Sequence, residues 1–403
     1  MEQPTAVIEI TNSVIRIVIG YVVDGKPAII YTREVPTQGT VERGEIKDHN
    51  GLVQILSEFK TISDPQAKLR INVKEAAVIL PPIGFEVFQT TKTTNVVSST
   101  STIEPIDIQN AISLVSKETI PNGSDVIDII PESFLLEGNR MFGEPPLGQK
   151  SSSVTLKAFV HTLPVHIVDS YRRAFEGAGI ISKRTFVSSY ALTHFTSHVQ
   201  GMYADAIVMD MGEGVTSFTL MGKHYPYASQ SILMGAKDLR ERVAQTFEIS
   251  EEEAKRIIEL YGVDDSISEF SPAITRSVNE SGVKAVYKTS DLNNVIASFM
   301  NDYFKQIDVA LANLTKGFPE EVNRFPIIVS GDFSRLHGLN IYLENKFTNS
   351  KEIKFICPKS LGVRYPRFVN AIGALYLSNK YRGSLTDQRA KVAQVSRESC
   401  EDK

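Results

Sequence analysis

Apolar and polar residues alternate along the beginning of the chain, and one turn signal interrupts the alternation. The alternation covers residues 6–10, 14–23 and 27–34, and the turn signal, Asp24-Gly25, lies between the second and third stretches. A period of two is typical of strands with one buried face, and Asp-Gly favours a tight hairpin turn. The pattern therefore predicts two or three antiparallel strands.

The same strand-turn-strand pattern returns about 200 residues later. An apolar run over residues 206–211 contains Asp210, Gly212-Glu213-Gly214 follows, and a second strand is predicted from Phe218. Glycines after a strand let backbone N–H groups approach phosphate oxygens, and a carboxylate at the strand end can hold a magnesium-bound water. Two copies of one hairpin predict a duplicated fold with a shared cleft.

Helical periodicity is typical of most of the later part of the chain. It predicts helices over residues 236–247, 250–261 and 291–314. A buried strand over residues 325–330 then leads into Gly331-Asp332-Phe333-Ser334. A glycine turn of this kind can press against an adenine and its ribose, although many α/β strands end in the same way.

Two further segments complete the predicted organisation. Residues 50–60 have the spacing of an amphipathic helix, with Asn50 as its N-terminal cap. Residues 76–160 are rich in strand-like alternation, carry one helix over residues 106–118, and are bounded by prolines. We interpret this second segment as an inserted subdomain.

Composition narrows the class of protein. The 403 residues are 42% apolar and 22% charged, which is enough apolar surface for several compact units. A net charge of -4 and the lack of a basic block make nucleic acid an unexpected partner. Cys357 and Cys400 are too few for a disulfide framework, and no apolar run approaches a bilayer span. These features predict a cytoplasmic protein whose membrane contact is peripheral or through a partner.

The order of these motifs resembles a known superfamily. Carboxylate-bearing hairpins at Glu9 and Asp210, followed by a strand and glycine turn, occur in the order used by actin, Hsp70 and sugar kinases. Within that group the chain resembles FtsA, the bacterial actin-like cell-division family, from about Ala6 to Tyr381. The segments that carry the resemblance are residues 39–48, 127–134, 137–138, 145–148, 174–180, 232–239, 249–262 and 366–375.

The resemblance to FtsA implies a fold. It is α/β and actin-like, with two duplicated ribonuclease H-like lobes and an inserted FtsA-type 1C subdomain. The implied boundaries are 1–80, 163–203 and 366–382 for subdomain 1A, 81–162 for 1C, 204–245 and 318–365 for 2A, 246–317 for 2B, and 383–403 for a flexible polar tail.

The resemblance also implies a function. A family member binds ATP with Mg²⁺ between the lobes, forms filaments, binds the C-terminal peptide of the tubulin-like FtsZ, and contacts later division proteins. It acts at the inner face of the cell membrane, at the division site, and is at most a weak ATPase. The residues expected at the nucleotide are Asp210 (catalytic and, through water, at the metal), Glu9 (catalytic, weakly), Asn12, Ser13, Gly212, Glu213, Gly214, Val215, Thr216, Gly235, Lys255, Gly331, Asp332 and Ser334.

The first phosphate hairpin departs from the family pattern. Glu9 stands where the family usually has Asp, and Thr11 replaces a glycine, so close backbone approach to a phosphate is blocked. In the second hairpin, Glu213 replaces a glycine and brings a negative charge close to the expected phosphates. Lys255 and Ile258 also differ from the residues usual near the nucleoside. Three interpretations follow: sequence drift that leaves ATP binding intact, nucleotide binding that is weak or without significant hydrolysis, or an FtsA-like scaffold that is independent of nucleotide. We favour binding without significant hydrolysis.

The chain's end departs from the family as well. Residues 384–403 contain no aromatic residue, whereas the family usually ends in an amphipathic membrane helix. We expect that the helix has been removed from this sequence or that a partner provides membrane contact.

Alternatives on the same fold remain. A pilus-assembly actin homologue stays open, because it shares the inserted-subdomain plan. The altered Glu9 hairpin argues against a sugar kinase, and the short segment after Tyr381 argues against an Hsp70-type chaperone. His161, His166, His194 and His198 are interpreted as structural residues.

Overall fold

A computed structural model describes residues 4–64, 69–117, 120–263, 271–278 and 284–382. The predicted tail over residues 383–403 lies outside the described residues, as do parts of the predicted 2B segment. The strands in these ranges are β1 Thr5–Ile10, β2 Val14–Val23, β3 Lys26–Pro36, β4 Val41–Glu42, β5 Glu45–Ile46, β6 Thr61–Asp64, β7 Leu69–Asn72, β8 Glu75–Leu80, β9 Glu86–Asn95, β10 Ser124–Leu136, β11 Arg140–Phe142, β12 Ser153–Pro164, β13 Ile181–Val187, β14 Ala206–Met211, β15 Thr216–Gly222, β16 Tyr225–Ile232, β17 Ala273–Val278, β18 Lys284–Lys288, β19 Ile327–Ser330 and β20 Ile353–Phe355. The α-helices are α1 His49–Ser57, α2 Pro105–Ser116, α3 Val165–Gly177, α4 Ser188–Thr196, α5 Ala236–Phe247, α6 Glu251–Tyr261, α7 Thr289–Thr315, α8 Leu339–Lys346 and α9 Val369–Lys380.

The first lobe contains a five-stranded sheet in the order β13-β8-β1-β2-β3. Strands β1, β2 and β3 are antiparallel, as the alternation predicted, and Asp24 and Gly25 both have positive φ at the turn. Two positive φ values suit a tight hairpin because its twist then matches that of the strands. The predicted cap of α1 is wrong: Asp48, not Asn50, precedes the helix and accepts a hydrogen bond from the Gly51 N–H at 3.0 Å.

The second lobe repeats the same arrangement. Its sheet has the order β16-β15-β14-β19-β20, in which β14 pairs with β15 antiparallel and with β19 in parallel. In the first lobe, β1 likewise pairs with β2 antiparallel and with β8 in parallel. The duplicated fold predicted from the two hairpins is therefore confirmed.

The predicted inserted subdomain forms a separate small sheet. Its order is β11-β10-β12-β9, and α2 packs on it through Ile108, Ala111 and Val115. The insertion leaves the first lobe after β8 and returns to it at α3. The ring of Phe159 stacks on Tyr225 of the second lobe, with ring centroids 5.5 Å apart, which fixes the insertion against β16.

One hydrophobic core connects the two lobes. It contains Val7 and Val18 of the first sheet, Val208 and Ile328 of the second, and helices α4 and α9 between them. The helices approach closely at Gly373, where a Cβ atom would lie 1.9 Å from the Ala191 carbonyl oxygen. The shared core sets the spacing of β1 and β14, whose ends form the cleft. Within the described residues, no helix is long and apolar enough to cross a membrane.

Candidate functional site

The two hairpin carboxylates meet at the bottom of the interlobe cleft. Glu9 lies near the end of β1 and Asp210 near the end of β14, and both contact the amide of Asn370 in α9. Asn370 Nδ2 donates to Glu9 Oε1 and to Asp210 Oδ2, at 2.9 Å each. A residue from the last helix therefore links the two copies of the duplicated hairpin.

A buried arginine lies beside these carboxylates. Arg16 is 1% exposed, and its Nη1 donates to Glu9 Oε2 at 2.6 Å while its Nε donates to Glu34 Oε1 at 2.8 Å. Arg16 is directly opposite Glu9 across the β1-β2 pair and opposite Glu34 across the β2-β3 pair. The three residues form a ladder of alternating charge across the first sheet, and cross-strand neighbours of opposite charge stabilise one another.

The environment of Arg16 keeps it charged. Burial lowers the pKa of Arg16, but the negative charges of Glu9, Asp332 and Glu34 together raise it by more. The net pKa therefore lies above the ordinary value. Its Nη2 lies 3.8 Å from Asp332 Oδ2 of the second lobe and has no hydrogen-bond partner. A permanent positive charge therefore lies at the end of the cleft where phosphate was predicted.

Arg367 adds a second cation to the same group. Its Nη2 lies 3.0 Å from Glu34 Oε2 and its Nη1 lies 3.9 Å from Asp332 Oδ1. Burial raises the pKa of Asp332, whereas the charges of Arg16 and Arg367 lower it, and the net pKa is raised. Burial also raises the pKa of Asp210 to about 6, against the hydrogen bond from Asn370, which lowers it.

The negative charge of Glu213 in the second hairpin is neutralised by Arg240 of α5. Glu213 Oε2 accepts from Arg240 Nη2 at 3.0 Å and from Ser13 Oγ at 3.1 Å. The second of these bonds crosses from one lobe to the other. The repulsion expected between Glu213 and a phosphate is therefore reduced by a neighbouring arginine that sequence reasoning did not identify.

Some predicted nucleotide contacts have structural partners instead. Thr216 is fully buried and its Oγ1 lies 2.6 Å from the Tyr303 hydroxyl. A Cβ atom on Gly235 would lie 2.4 Å from the Gly212 carbonyl oxygen, so this glycine lets α5 pack on the hairpin. Ser334 Oγ donates to the Gly331 carbonyl at 2.6 Å within its own turn. Neither cavity of the cleft is lined by these three predicted residues, Thr216, Gly235 and Ser334.

The loop after the first sheet also crosses to the second lobe. Arg43 Nη1 donates to the Leu233 carbonyl at 2.9 Å, and its Nη2 lies 3.1 Å from Asp238 Oδ1. The backbone N–H of Arg43 donates to Asn12 Oδ1. The side-chain oxygen of Asn12, a residue predicted to contact the nucleotide, is therefore bound by the loop. The loop therefore connects the first hairpin to the start of α5.

The cleft contains two adjoining cavities of different size. The inner cavity is about 90 Å³ and includes Glu9, Asn12, Asp210, Gly212, Gly214, Val215 and Gly331 among the predicted residues in its lining. The outer cavity is about 340 Å³ and includes Ser13 and Lys255. Glu213 and Asp332 line both cavities. Most of the predicted site residues are thus brought together in one cleft.

Sequence reasoning missed Arg16, Asn370, Arg240 and Arg367 at this site. Arg16 had a detectable signal, because the hairpin register places it opposite Glu9 and Glu34. Asn370 had none, because its contacts join residues more than a hundred positions apart.

Comparison with known proteins supports the resemblance to FtsA. No family model matches the chain. The chain is 24% identical to the cell-division protein FtsA of Enterococcus hirae over 396 residues, which covers 96% of this chain and 85% of that protein. It is 22% identical to FtsA of Streptococcus pneumoniae, with 94% and 80% covered, and 21% identical to FtsA of Staphylococcus epidermidis, with 91% and 77% covered. The predicted resemblance to FtsA is confirmed over most of the chain.

Solved structures confirm the fold class. A chain of the PilM-PilN type IV pilus biogenesis complex superposes with a TM-score of 0.56 at 17% identity, covering 94% of this chain and 98% of that chain. MreB 5 of Spiroplasma citri bound to AMPPNP superposes with a TM-score of 0.54 at 11% identity, covering 94% of this chain and 97% of that chain. The ethanolamine utilization protein EutJ from Carboxydothermus hydrogenoformans superposes with a TM-score of 0.51 at 14% identity, covering 93% of this chain and 90% of that chain. The predicted actin-like fold is confirmed.

Proposed function

We propose that this divergent relative of FtsA is a cell-division scaffold that binds a nucleotide between its lobes and assembles with copies of itself. The observation that carries the proposal is the match to curated FtsA proteins over 91 to 96% of the chain. The duplicated hairpins and the inserted four-stranded sheet are consistent with it. Subdomains 1A, 1C, 2A and 2B, with the boundaries given above, are part of the same proposal.

The proposed partners are those of a division complex. They are the C-terminal peptide of FtsZ, further copies of the chain, later division proteins, and the inner face of the cell membrane through a partner or a C-terminal helix. The segment over residues 246–317 is the proposed site for the peptide. It exposes apolar side chains there, including Leu260 at 61% and Val286 at 48%. Exposed apolar residues are suitable anchors for a peptide.

The nucleoside end of ATP fits the outer cavity. Its volume of about 340 Å³ lies within the range of roughly 300 to 1,000 Å³ for small-molecule sites. Apolar Leu239, Ile258 and Phe333 line it together with Arg240 and Lys255. Apolar walls with a few charged groups are typical of nucleotide pockets.

The magnesium-triphosphate end does not fit the inner cavity. That cavity is about 90 Å³, and both carboxylate oxygens of Glu9 already accept hydrogen bonds, from Arg16 and from Asn370. Asp210 Oδ2 accepts from Asn370 as well. We therefore derive no hydrolytic step from this arrangement and propose a binding site.

Peptide binding tests the proposed scaffold function. A fluorescein-labelled FtsZ C-terminal peptide is expected to show a saturable anisotropy increase with a dissociation constant in the micromolar range. Leu260→Asp is expected to weaken binding by about tenfold or more, because an apolar anchor is replaced by a charge. Met141→Asp is the matched control, since Met141 is 73% exposed but lies on the inserted subdomain.

The second candidate function is that of a pilus-assembly actin homologue. It is favoured by one observation, the TM-score of 0.56 to a chain of the PilM-PilN complex. The two candidates differ in their partner. Absence of FtsZ-peptide binding in the anisotropy assay, with a correctly folded protein, would contradict the division scaffold and favour the pilus alternative.

A further inference from the structure

We propose that Arg16 is the built-in cation of the cleft, and that the cleft binds a nucleoside carrying at most one phosphate, without a divalent metal. This inference rests on the nucleotide-binding part of the proposed function and specifies its ligand. It follows from the contacts, the charges and the space at the two ends of the cleft.

The carboxylate that would serve a metal in the first hairpin already has partners on both oxygens. Mg²⁺ needs oxygen ligands at about 2.0 to 2.1 Å in octahedral geometry, usually one or two carboxylates with waters and phosphate oxygens. Glu9 Oε2 lies 2.6 Å from Arg16 Nη1, and Glu9 Oε1 lies 2.9 Å from Asn370 Nδ2. A metal at Glu9 would have to displace a guanidinium or lie against it. Among the described residues, no three acidic, histidine or cysteine side chains are grouped as a metal site.

The inner end of the cleft carries an excess of negative charge. Four acidic side chains line the inner cavity, Glu9, Asp210, Glu213 and Asp332, against the two cations Arg16 and Arg367. Four minus two leaves an excess of two negative charges when all are ionised. A triphosphate would add several more negative charges to this end with no cation to offset them. Like charges in a buried site repel strongly because little water screens them.

The outer cavity carries no such excess. Its charged lining consists of the cations Arg240, Lys255, Arg335 and Arg367 and the anions Glu34, Glu213, Glu259 and Asp332. These charges balance when all are ionised. The outer cavity therefore admits an uncharged nucleoside, or one with a single phosphate, with less repulsion than the inner end.

Two backbone N–H groups of the first hairpin are engaged within its own turn. The Thr11 N–H donates to the Val14 carbonyl at 2.9 Å, and the Val14 N–H lies 3.2 Å from Thr11 Oγ1. These two turn donors are used within the hairpin itself. Phosphate-binding hairpins act through such backbone donors, so this turn has fewer to offer to a ligand.

The ligand can be tested by isothermal titration calorimetry on the full chain. The probes are adenosine, AMP and ATP, each with magnesium chloride and with EDTA. We expect the affinity for AMP to change by less than about twofold between the two conditions, and ATP to bind about tenfold or more weakly than AMP in both. Tighter binding of ATP than AMP, with a requirement for Mg²⁺, would overturn the proposal.

Variants separate the role of Arg16 from general damage. Arg16→Met is expected to free Glu9 and make ATP binding about tenfold tighter with Mg²⁺ than with EDTA, whereas Arg16→Lys keeps the wild-type behaviour. Arg33→Met is the control, because Arg33 lies on the neighbouring strand and its ion pair with Glu58 is exposed. Arg16→Met without any magnesium dependence would refute the role of Arg16. If that variant does not fold, the wild-type titrations alone decide.

A further outcome distinguishes this inference from the proposed scaffold function. If none of the three probes binds while the FtsZ peptide still binds, the ligand proposal is overturned and the scaffold proposal stands. If the probes bind as expected and the peptide does not, the reverse holds.

Discussion

Replacing Arg16 by Met should destabilise the protein far more than replacing any surface arginine. Arg16 is 1% exposed, and Glu9, to which it donates at 2.6 Å, is 5% exposed. Removing one member of a buried ion pair leaves the other charge without compensation, which costs about 3 to 5 kcal/mol. Glu34 and Asp332 keep Arg367 as a partner, so the uncompensated charge is that of Glu9.

A double-mutant cycle isolates this pair. The double variant Arg16→Met with Glu9→Gln removes both charges, and the side-chain amide oxygen introduced by the second substitution can still accept from Asn370, so we expect the loss to fall to about 1 to 2 kcal/mol. The implied coupling free energy between Arg16 and Glu9 is about 2 kcal/mol or more. Arg33→Met is the exposed control, because its pair with Glu58 has side chains that are 41% and 52% exposed. Its expected cost is about 0 to 1 kcal/mol.

The assay is urea unfolding in magnesium-free buffer without nucleotide, followed by circular dichroism. The denaturant dependence must be similar in all variants, since a changed slope would signal a changed denatured state or an intermediate. A loss below about 1 kcal/mol for Arg16→Met, or a double variant as unstable as the sum of the single ones, would refute a buried ion pair at the centre of the cleft.

Three further changes test other parts of the site. Because burial raises the pKa of Asp210 from 3.8 to about 6, the folded state holds a proton that the unfolded state has released, so stability should fall by about 2 kcal/mol as pH rises from 4 to 6. Asp210→Asn should remove the contribution of Asp210 to this dependence and raise the unfolding free energy at pH 7.5 by about 2 kcal/mol, which urea titrations at several pH values would check. Gly331→Ala should lower the melting temperature by several degrees in calorimetry, because φ is 93° and the new Cβ would lie 2.3 Å from the Met211 carbonyl oxygen; Gly201→Ala, with positive φ but open space, should lower it less. Arg43→Ala should change the global stability by less than about 1 kcal/mol, since the Arg43 side chain is 45% exposed, while endoproteinase Glu-C should cleave the loop over residues 37–46, which contains Glu42 and Glu45, faster. A large loss of global stability would contradict that local role.

Local patterns were sufficient to predict much of the fold. The antiparallel strands of both hairpins follow from alternation of apolar and polar residues, and α5 has the bounds predicted from its periodicity. The boundary of α1 was less accurate, because Asn50 and Asp48 are both good caps. The side chain that accepts from the Gly51 N–H is that of Asp48.

The ionic contacts of the site were not predictable in the same way. Arg16 reads in the sequence as a polar position in a strand, and only the pairing of three strands reveals that Glu9 and Glu34 flank it. Asn370 lies in the first turn of α9, and its two partners come from both copies of the duplicated hairpin. Sequence spacing carries no information about the contacts of Asn370, whereas the register of the strands was a usable signal for Arg16.

The departures from the FtsA pattern that stand out in the sequence form one arrangement in the structure. The carboxylate of Glu9 reaches both Arg16 and Asn370, Thr11 closes its own turn onto Val14, and Glu213 is neutralised by Arg240. Each of these three altered residues therefore has a partner within the protein. Polar groups that are paired within the protein do not depend on a ligand for compensation. The lobes can then keep their spacing whether or not a nucleotide is bound.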